Sequence, residues 1–244
     1  MGGLGRKFDG GYAEYTLVPE SIVIPFSSTL DWHILGAILE MCQTANDSLV
    51  QSLQLKPEDV LLVRGGTSSV GITAAQLAKN MGCKVFSTTR SMTKASALEQ
   101  IGVDEVILDD GEIAPKIKAF LPSGVDKVLE LVGGNGIRDS LKCVNQGGIV
   151  CQTGYLSNHW RMDGFSPLGE IPSGVYLTSY AGENSNLPPE LLQNFINQVE
   201  SGLLDVKIDK VFKLEDIAEA HAYMESNKAS GKLVGLNASA YNNK

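Results

Sequence analysis

Short apolar runs separated by amphipathic stretches set the rhythm of the chain from residue 60 onward. Val60-Leu61-Leu62-Val63-Arg64 reads as a buried strand. A glycine-containing turn follows, then Val70 to Asn80, where Ile72, Ala75, Leu77 and Ala78 recur at helical spacing until Gly82 stops the helix. The unit repeats, with Lys84 to Thr88 as strand, Thr93 to Gln100 as helix, Gly102 as its cap and Glu105 to Leu108 as the third strand. Ala114 to Phe120 is predicted helical and ends at Leu121-Pro122-Ser123-Gly124. Lys127 to Leu131 reads as a fourth strand buried on both faces, and Gly147-Gly148 launches a fifth over Ile149 to Gln152. Val175 to Tyr180 adds a sixth strand before a helix from Pro189 to Ser201, whose Leu191, Leu192, Phe195, Ile196 and Val199 share one stripe. Strands alternating with crossover helices specify an α/β fold with a doubly wound parallel sheet of about six strands.

Both ends leave this rhythm. Gly10 to Val18 alternates like a half-buried strand, and Ile22 to Ile24 reads as a second strand bounded by prolines. The carboxyl end, Lys207 to Leu236, reads as strand, helix over Leu214 to Ser226, and strand over Lys232 to Leu236. The expected division is 1–30, 31–205 and 206–244, with the two terminal segments cooperating in a residual β module beside the central α/β domain.

Composition changes this picture mainly by exclusion. Apolar residues fill 43% of the 244 positions and charged residues 20%, with no repeated tract, so the chain can bury a core and lacks the signature of disorder. No apolar stretch approaches the roughly 18 residues of a membrane helix, and the start lacks a signal-peptide layout, so a soluble cytoplasmic protein is expected. Twenty basic against 28 acidic residues leave a net charge of −8, which disfavours nucleic acid as a partner. Cys42, Cys83, Cys143 and Cys151 are far apart, and His33, His159 and His221 are isolated. That spacing predicts reduced, buried thiols and no metal site.

Candidate chemistry begins at Val63-Arg64-Gly65-Gly66-Thr67-Ser68-Ser69-Val70-Gly71, which joins the first strand to the first helix. Glycines in that position let the backbone turn sharply and approach a pyrophosphate, while the free amides and dipole at the helix start favour an anion. Gly66, Thr67, Ser68, Ser69, Val70 and Gly71 are therefore the candidate phosphate cradle, with Ser68 and Ser69 able to cap amides or donate to phosphate oxygens. A tight turn with a serine N-cap is the plain alternative.

The end of the second strand selects the nucleotide. An NAD site needs an acid there for the ribose 2′-hydroxyl, whereas an NADP site must neutralise a 2′-phosphate. The residues are Thr88-Thr89-Arg90-Ser91, with Lys94 a turn later and no acid among them. Arg90 can pair with phosphate in bidentate fashion, Lys94 adds charge, and Ser91 can cap the following helix and donate a hydrogen bond. NADPH is expected over NADH, with solvated basic residues after a cap as the alternative.

The strings Gly11-Tyr12-Ala13-Glu14-Tyr15, Gln43-Thr44-Ala45, Arg64 to Gly71, Thr88-Thr89-Arg90-Ser91, Gly147-Gly148-Ile149-Val150 and Gly231-Lys232-Leu233-Val234 resemble, in order, the quinone oxidoreductase branch of the medium-chain dehydrogenase/reductase superfamily. The resemblance implies a Rossmann-like NADP-binding domain, a homodimer joined through edge strands of that domain, and hydride transfer from NADPH to a quinone or α,β-unsaturated carbonyl. It also implies that residues 1–30 are a remnant of a GroES-like catalytic domain, most of which is expected to be missing from this chain. A truncated, catalytically inactive NADPH-binding module, serving as redox sensor or dimeric scaffold, is the alternative. Zinc-dependent relatives carry a Cys four residues before the position of Thr44. Here that residue is Glu40, and Cys42 is off register, so the chemistry is expected to be zinc-independent.

By the same resemblance Thr44 lies beside the nicotinamide, although a helix-buried threonine bonded to a preceding carbonyl would look the same. Leu131, Val132 and Gly133 after the fourth strand, and Thr153, Gly154, Tyr155 and Leu156 after the fifth, match loops at the carboxyl ends of strands, where such sheets hold ligands. Gly133 and Gly154 are expected to let the dinucleotide pass close. The long connection from Thr153 to Pro172 is expected to roof the nicotinamide side, and Tyr155 and His159 are its weak candidates for a proton donor. A short-chain dehydrogenase is disfavoured because no Tyr-x-x-x-Lys pair follows the fourth strand.

Overall fold

The computed structural model describes residues 4–5, 8–134, 136–182, 187–226 and 228–237. Two compact units emerge, one of residues 44–181 and one of residues 1–43 with 182–244.

Helix α1 (Trp32–Asp47) leads into the first unit and passes into a π turn at Ser48–Ser52. The strand-helix rhythm then appears as β1 (Val60–Arg64), α2 (Ser69–Asn80), β2 (Lys84–Thr89), α3 (Ala95–Gln100), β3 (Glu105–Leu108), α4 (Ala114–Phe120), β4 (Val125–Glu130), α5 (Gly136–Ser140), β5 (Val144–Gln152), α6 (Pro167–Glu170) and β6 (Tyr176–Ser179). All neighbouring pairs run parallel, in the order β3-β2-β1-β4-β5-β6. This is the doubly wound α/β fold that the periodicity predicted. The apolar positions that set the rhythm, among them Leu62, Phe86, Ile117, Val128 and Val150, are fully buried together. Each such side chain contributes about 1.5–3 kcal/mol relative to exposure.

Chain order reverses between β1 and β4, where Arg64 is in register with Glu130. Helices leave those strands for opposite faces of the sheet, so a crevice opens at their carboxyl ends, the place where open α/β sheets take ligands. Two local expectations shift. The predicted helix over Thr93 to Gln100 is a 3-10 turn at Met92–Lys94 followed by α3. The fifth strand starts at Val144 rather than Ile149, accommodated by a register shift against β4.

In the second unit, α7 (Pro189–Glu200) precedes β7 (Ile208–Lys213), α8 (Ile217–Glu225) and β8 (Lys232–Leu236), and β7 pairs parallel with β8. The strands expected at Gly10 to Val18 and Ile22 to Ile24 do not form. That segment is irregular apart from a bridge between Leu4 and Phe8 and a 3-10 turn at Glu20–Ile22. A strand needs a partner ladder and a buried face. Among the described residues no strand pairs with this segment, and Tyr15 and Leu17 are 90% and 94% exposed. Side chains fasten it instead: the Tyr12 hydroxyl lies 3.0 Å from His221 Nε2, and Glu200 Oε1 accepts from Ser28 Oγ and the Thr29 amide.

Candidate functional site

The turn after β1 clamps onto the neighbouring strand. The Gly65 amide donates to Thr88 Oγ1 at 3.0 Å and the Gly66 amide to the Thr88 carbonyl at 3.1 Å. A Cβ on Gly66 would stand 1.7 Å from Ser87 Oγ, a buried hydroxyl with no hydrogen-bond partner among the described residues, and one on Gly71 would stand 2.6 Å from the Gly65 carbonyl. The glycines are thus demanded by close packing of turn, strand and helix within the protein itself. Ser68 is the N-cap of α2: its hydroxyl accepts from the Gly71 amide at 3.1 Å and donates to the Gly65 carbonyl at 2.8 Å. The Ser69 hydroxyl plays no such part, and the carbonyl of Ser69 accepts from Thr73 Oγ1. The Ser69 and Val70 amides take no hydrogen-bond partner among the described residues. With half-buried Thr67 beside them, they present unpaired donors at the positive end of a 12-residue helix.

At the end of β2 the Thr89 hydroxyl donates to the Ser91 carbonyl and accepts from the Ser91 amide, which tightens the chain there. Ser91 occupies the N-cap of the 3-10 turn but makes no side-chain cap, contrary to expectation. Its hydroxyl pairs with Thr93 Oγ1 at 2.8 Å, because the turn closes through its own Lys94 amide to the Ser91 carbonyl. Arg90 and Lys94 are exposed and have no ion-pair partner among the described residues.

The crevice between β1 and β4 holds a network that the sequence reading did not single out. Arg64 is 1% exposed. Its Nε and Nη2 grip Asp109 in bidentate fashion at 2.9 and 3.0 Å, and Nη2 also donates to the Gly111 carbonyl. Its Nη1 reaches the Gly136 carbonyl at 2.7 Å, Ser140 Oγ at 3.1 Å and Asp139 Oδ2 at 3.2 Å. Ser140 in turn donates to the wholly buried Glu130, whose carboxylate lies 4.0 Å from Arg64 Nε. Burial opposes the Arg64 charge, but Asp109, Glu130 and Asp139 overcome it and hold its pKa above the ordinary value. Burial pushes Glu130 up, against the pull of Arg64, Ser140 and two backbone amides. Its only trace in the sequence is a charge ending an otherwise apolar run, VLLVR in β1 and VLE in β4.

Those two amides belong to the loop after β4: Val132 and Gly133 donate to Glu130 Oε1 at 2.7 and 3.0 Å. That loop carries the next one, since Thr153 donates to the Glu130 carbonyl, Leu156 to the Leu131 carbonyl and Ser157 to the Val132 carbonyl at 2.9–3.0 Å. Leu131, Val132, Gly133, Thr153, Gly154, Tyr155 and Leu156 therefore come together. A Cβ on Gly133 would meet Tyr155 Cδ1 at 2.9 Å and one on Gly154 the Leu131 carbonyl at 2.7 Å. The close approach these glycines permit in the structure is loop to loop. Leu156 extends to Gly65, where its Cδ1 lies 2.9 Å from the place of a Cβ, so the turn after β1 joins the same cluster. Thr44 is half-buried on α1, one turn before Ser48, whose hydroxyl is 2.9 Å from Thr153 Oγ1. Tyr155 stacks on Trp160, and His159 Nδ1 lies 2.9 Å from the Ser157 carbonyl.

The four cysteines are free and buried. Burial pushes Cys42 and Cys143 up to about 12, far from the thiolate that binds metal. No three His, Cys, Asp or Glu side chains among the described residues cluster as a ligand set.

Residues 101–234, more than half of the chain, match the family described as zinc-binding dehydrogenase. Prostaglandin reductase-3 of Mus musculus is 30% identical over 243 residues, covering 92% of this chain and 64% of that protein. Quinone oxidoreductase of Sus scrofa is 30% identical over 233 residues, covering 93% of this chain and 69% of that protein. A mycobacterial structure complexed with NADPH shares the fold at a TM-score of 0.82 and 24% identity, covering 93% of this chain and 72% of that one. The chain thus spans about two thirds of the length of the relatives it matches. Through this family match, these relatives and a Rossmann-like sheet carrying its glycine turn after β1, the chain belongs to the zinc-binding dehydrogenase family, in the quinone oxidoreductase-like branch of the medium-chain dehydrogenases/reductases.

Proposed function

We propose that this chain binds NADPH along the carboxyl edge of its parallel sheet and serves hydride transfer to a quinone or α,β-unsaturated carbonyl without zinc. The observation that carries the reading is the pair of exposed, unmatched cations, Arg90 and Lys94, at the end of β2. An NAD site would want an acid there, and an isolated pair of like charges suits a phosphomonoester. The unpaired Ser69 and Val70 amides at the start of α2 fit the pyrophosphate. When bound, the nucleotide supplies the hydride, and the protein's work is placement and stabilisation of developing charge. Val132, Gly133, Tyr155 and Leu156 would shape the nicotinamide side, with Thr44 beside them.

Proton delivery to the reduced acceptor is assigned to Tyr155 or His159. Because Nδ1 of His159 faces a carbonyl, which only accepts, it must carry hydrogen, leaving Nε2 to exchange a proton. We further propose a cytoplasmic homodimer joined through β6, the sheet edge whose Tyr176 is exposed. The reducing cytoplasm suits four free cysteines. The test is NADPH oxidation in the presence of phenanthrenequinone. Turnover supports the reading, and NADPH binding without oxidation would replace it with a nucleotide-binding module lacking catalysis.

A further inference from the structure

Trp160 is 67% exposed, yet its ring is held in one place. It stacks on Tyr155 with centroids 4.2 Å apart and planes 24° from parallel. The turn that brings the two rings together is built for the purpose. Asn158 adopts a left-handed backbone at φ +59, donates its amide to the Tyr155 carbonyl at 2.8 Å, and accepts from Trp160 Nε1 at 3.3 Å through its side chain. Asparagine takes up this left-handed conformation more readily than other residues with side chains, so it suits the turn. The base of the stack is equally fixed: Tyr155 packs against Gly133, and the Gly133 amide is anchored on the buried Glu130. Arg64, Glu130, the loop after β4 and the loop after β5 thus form one connected succession that ends in an indole with an open face. A large apolar ring immobilised in water beside the crevice gains nothing for folding from its exposed side.

We propose that the Tyr155–Trp160 stack is a specificity platform on which the flat aromatic ring system of the acceptor lies. This rests on the functional reading above and narrows its substrate class to planar polycyclic quinones over small aliphatic enones. Stacking on a preset aromatic surface is worth roughly a tenfold change in affinity per ring contact, and Trp160, whose open face offers that contact, is not among the residues given to the nucleotide.

Three variants of the full chain, Trp160→Ala, Trp160→Phe and Trp32→Phe, test it. The last leaves Trp160 as the sole indole, since the chain has two tryptophans. Its fluorescence should quench saturably with phenanthrenequinone in the NADP⁺-loaded protein, and not with cyclohexenone. Trp160→Ala should raise the KM or Kd for phenanthrenequinone about tenfold, change cyclohexenone and NADPH less than twofold, and leave kcat within twofold. Trp160→Phe should restore quinone affinity to within about threefold. Equal loss for both acceptors, unchanged quinone affinity, or weakened NADPH binding instead would overturn the proposal. Binding read by quenching needs no turnover, so a chain that fails to oxidise NADPH still reports on the platform, separating the failure of this inference from failure of the functional reading.

Discussion

At the end of β1, six hydrogen bonds converge on the guanidinium of Arg64, and a carboxylate with no exposed surface faces it from β4. Pairs of this kind are costly to desolvate and costlier to break, because the partner left behind is a buried charge. Glu130 also has a pH consequence. Its pKa is raised above the ordinary 4.5 by burial, so between that value and the folded one the native chain binds more protons than the unfolded chain. Stability contributed by this group therefore falls as pH rises through that window. Glu130→Gln is expected to remove the fall. Urea denaturation of both proteins from about pH 4 to 8 checks this, and parallel stability curves would contradict it. The sequence hid this network because a terminal charge on an apolar run reads as the strand's exposed end. The glycine turn was legible in the sequence, and the structure adds a packing reason for it: Gly66 and Gly71 face Ser87 and the Gly65 carbonyl.

The strands and helices of the sheet were readable because their apolar runs are buried on both faces, which leaves few alternative uses for Leu61, Leu62 and Val63. The amino-terminal strand was misread for the converse reason. Alternation at Ala13, Tyr15 and Leu17 mimics a half-buried strand, and pattern alone cannot report whether a partner edge exists. Capping divided in the same way. Ser68 caps α2 because the turn places its hydroxyl over the Gly71 amide, whereas Ser91 is drawn to Thr93. Ser68→Ala is expected to destabilise the fold by about 0.5–2 kcal/mol, seen as a lower urea midpoint at unchanged slope. An unchanged midpoint would show that the cap contributes nothing.

Across the whole molecule, the site is an edge property: the turn after β1, the cations after β2 and the loops after β4 and β5 share the carboxyl side of one parallel sheet. That side was legible from the alternation of strands and crossover helices in the sequence, while the hydrogen bonds locking the loops together were not, because they join backbone atoms whose spacing no periodicity encodes. The proposed dimer is tested by light scattering, which should give twice the 26.1 kDa of one chain. A monomer that dimerises on adding charge to β6 would be the wrong response, and Thr178→Lys is expected to favour monomers. The most direct measurement is titration calorimetry of NADPH and NADH into the wild type and Arg90→Ala. NADPH should bind at least tenfold tighter than NADH, and Arg90→Ala should erase most of that difference while leaving NADH affinity within about twofold. Equal affinities for the two nucleotides, or no heat with either, would contradict the account.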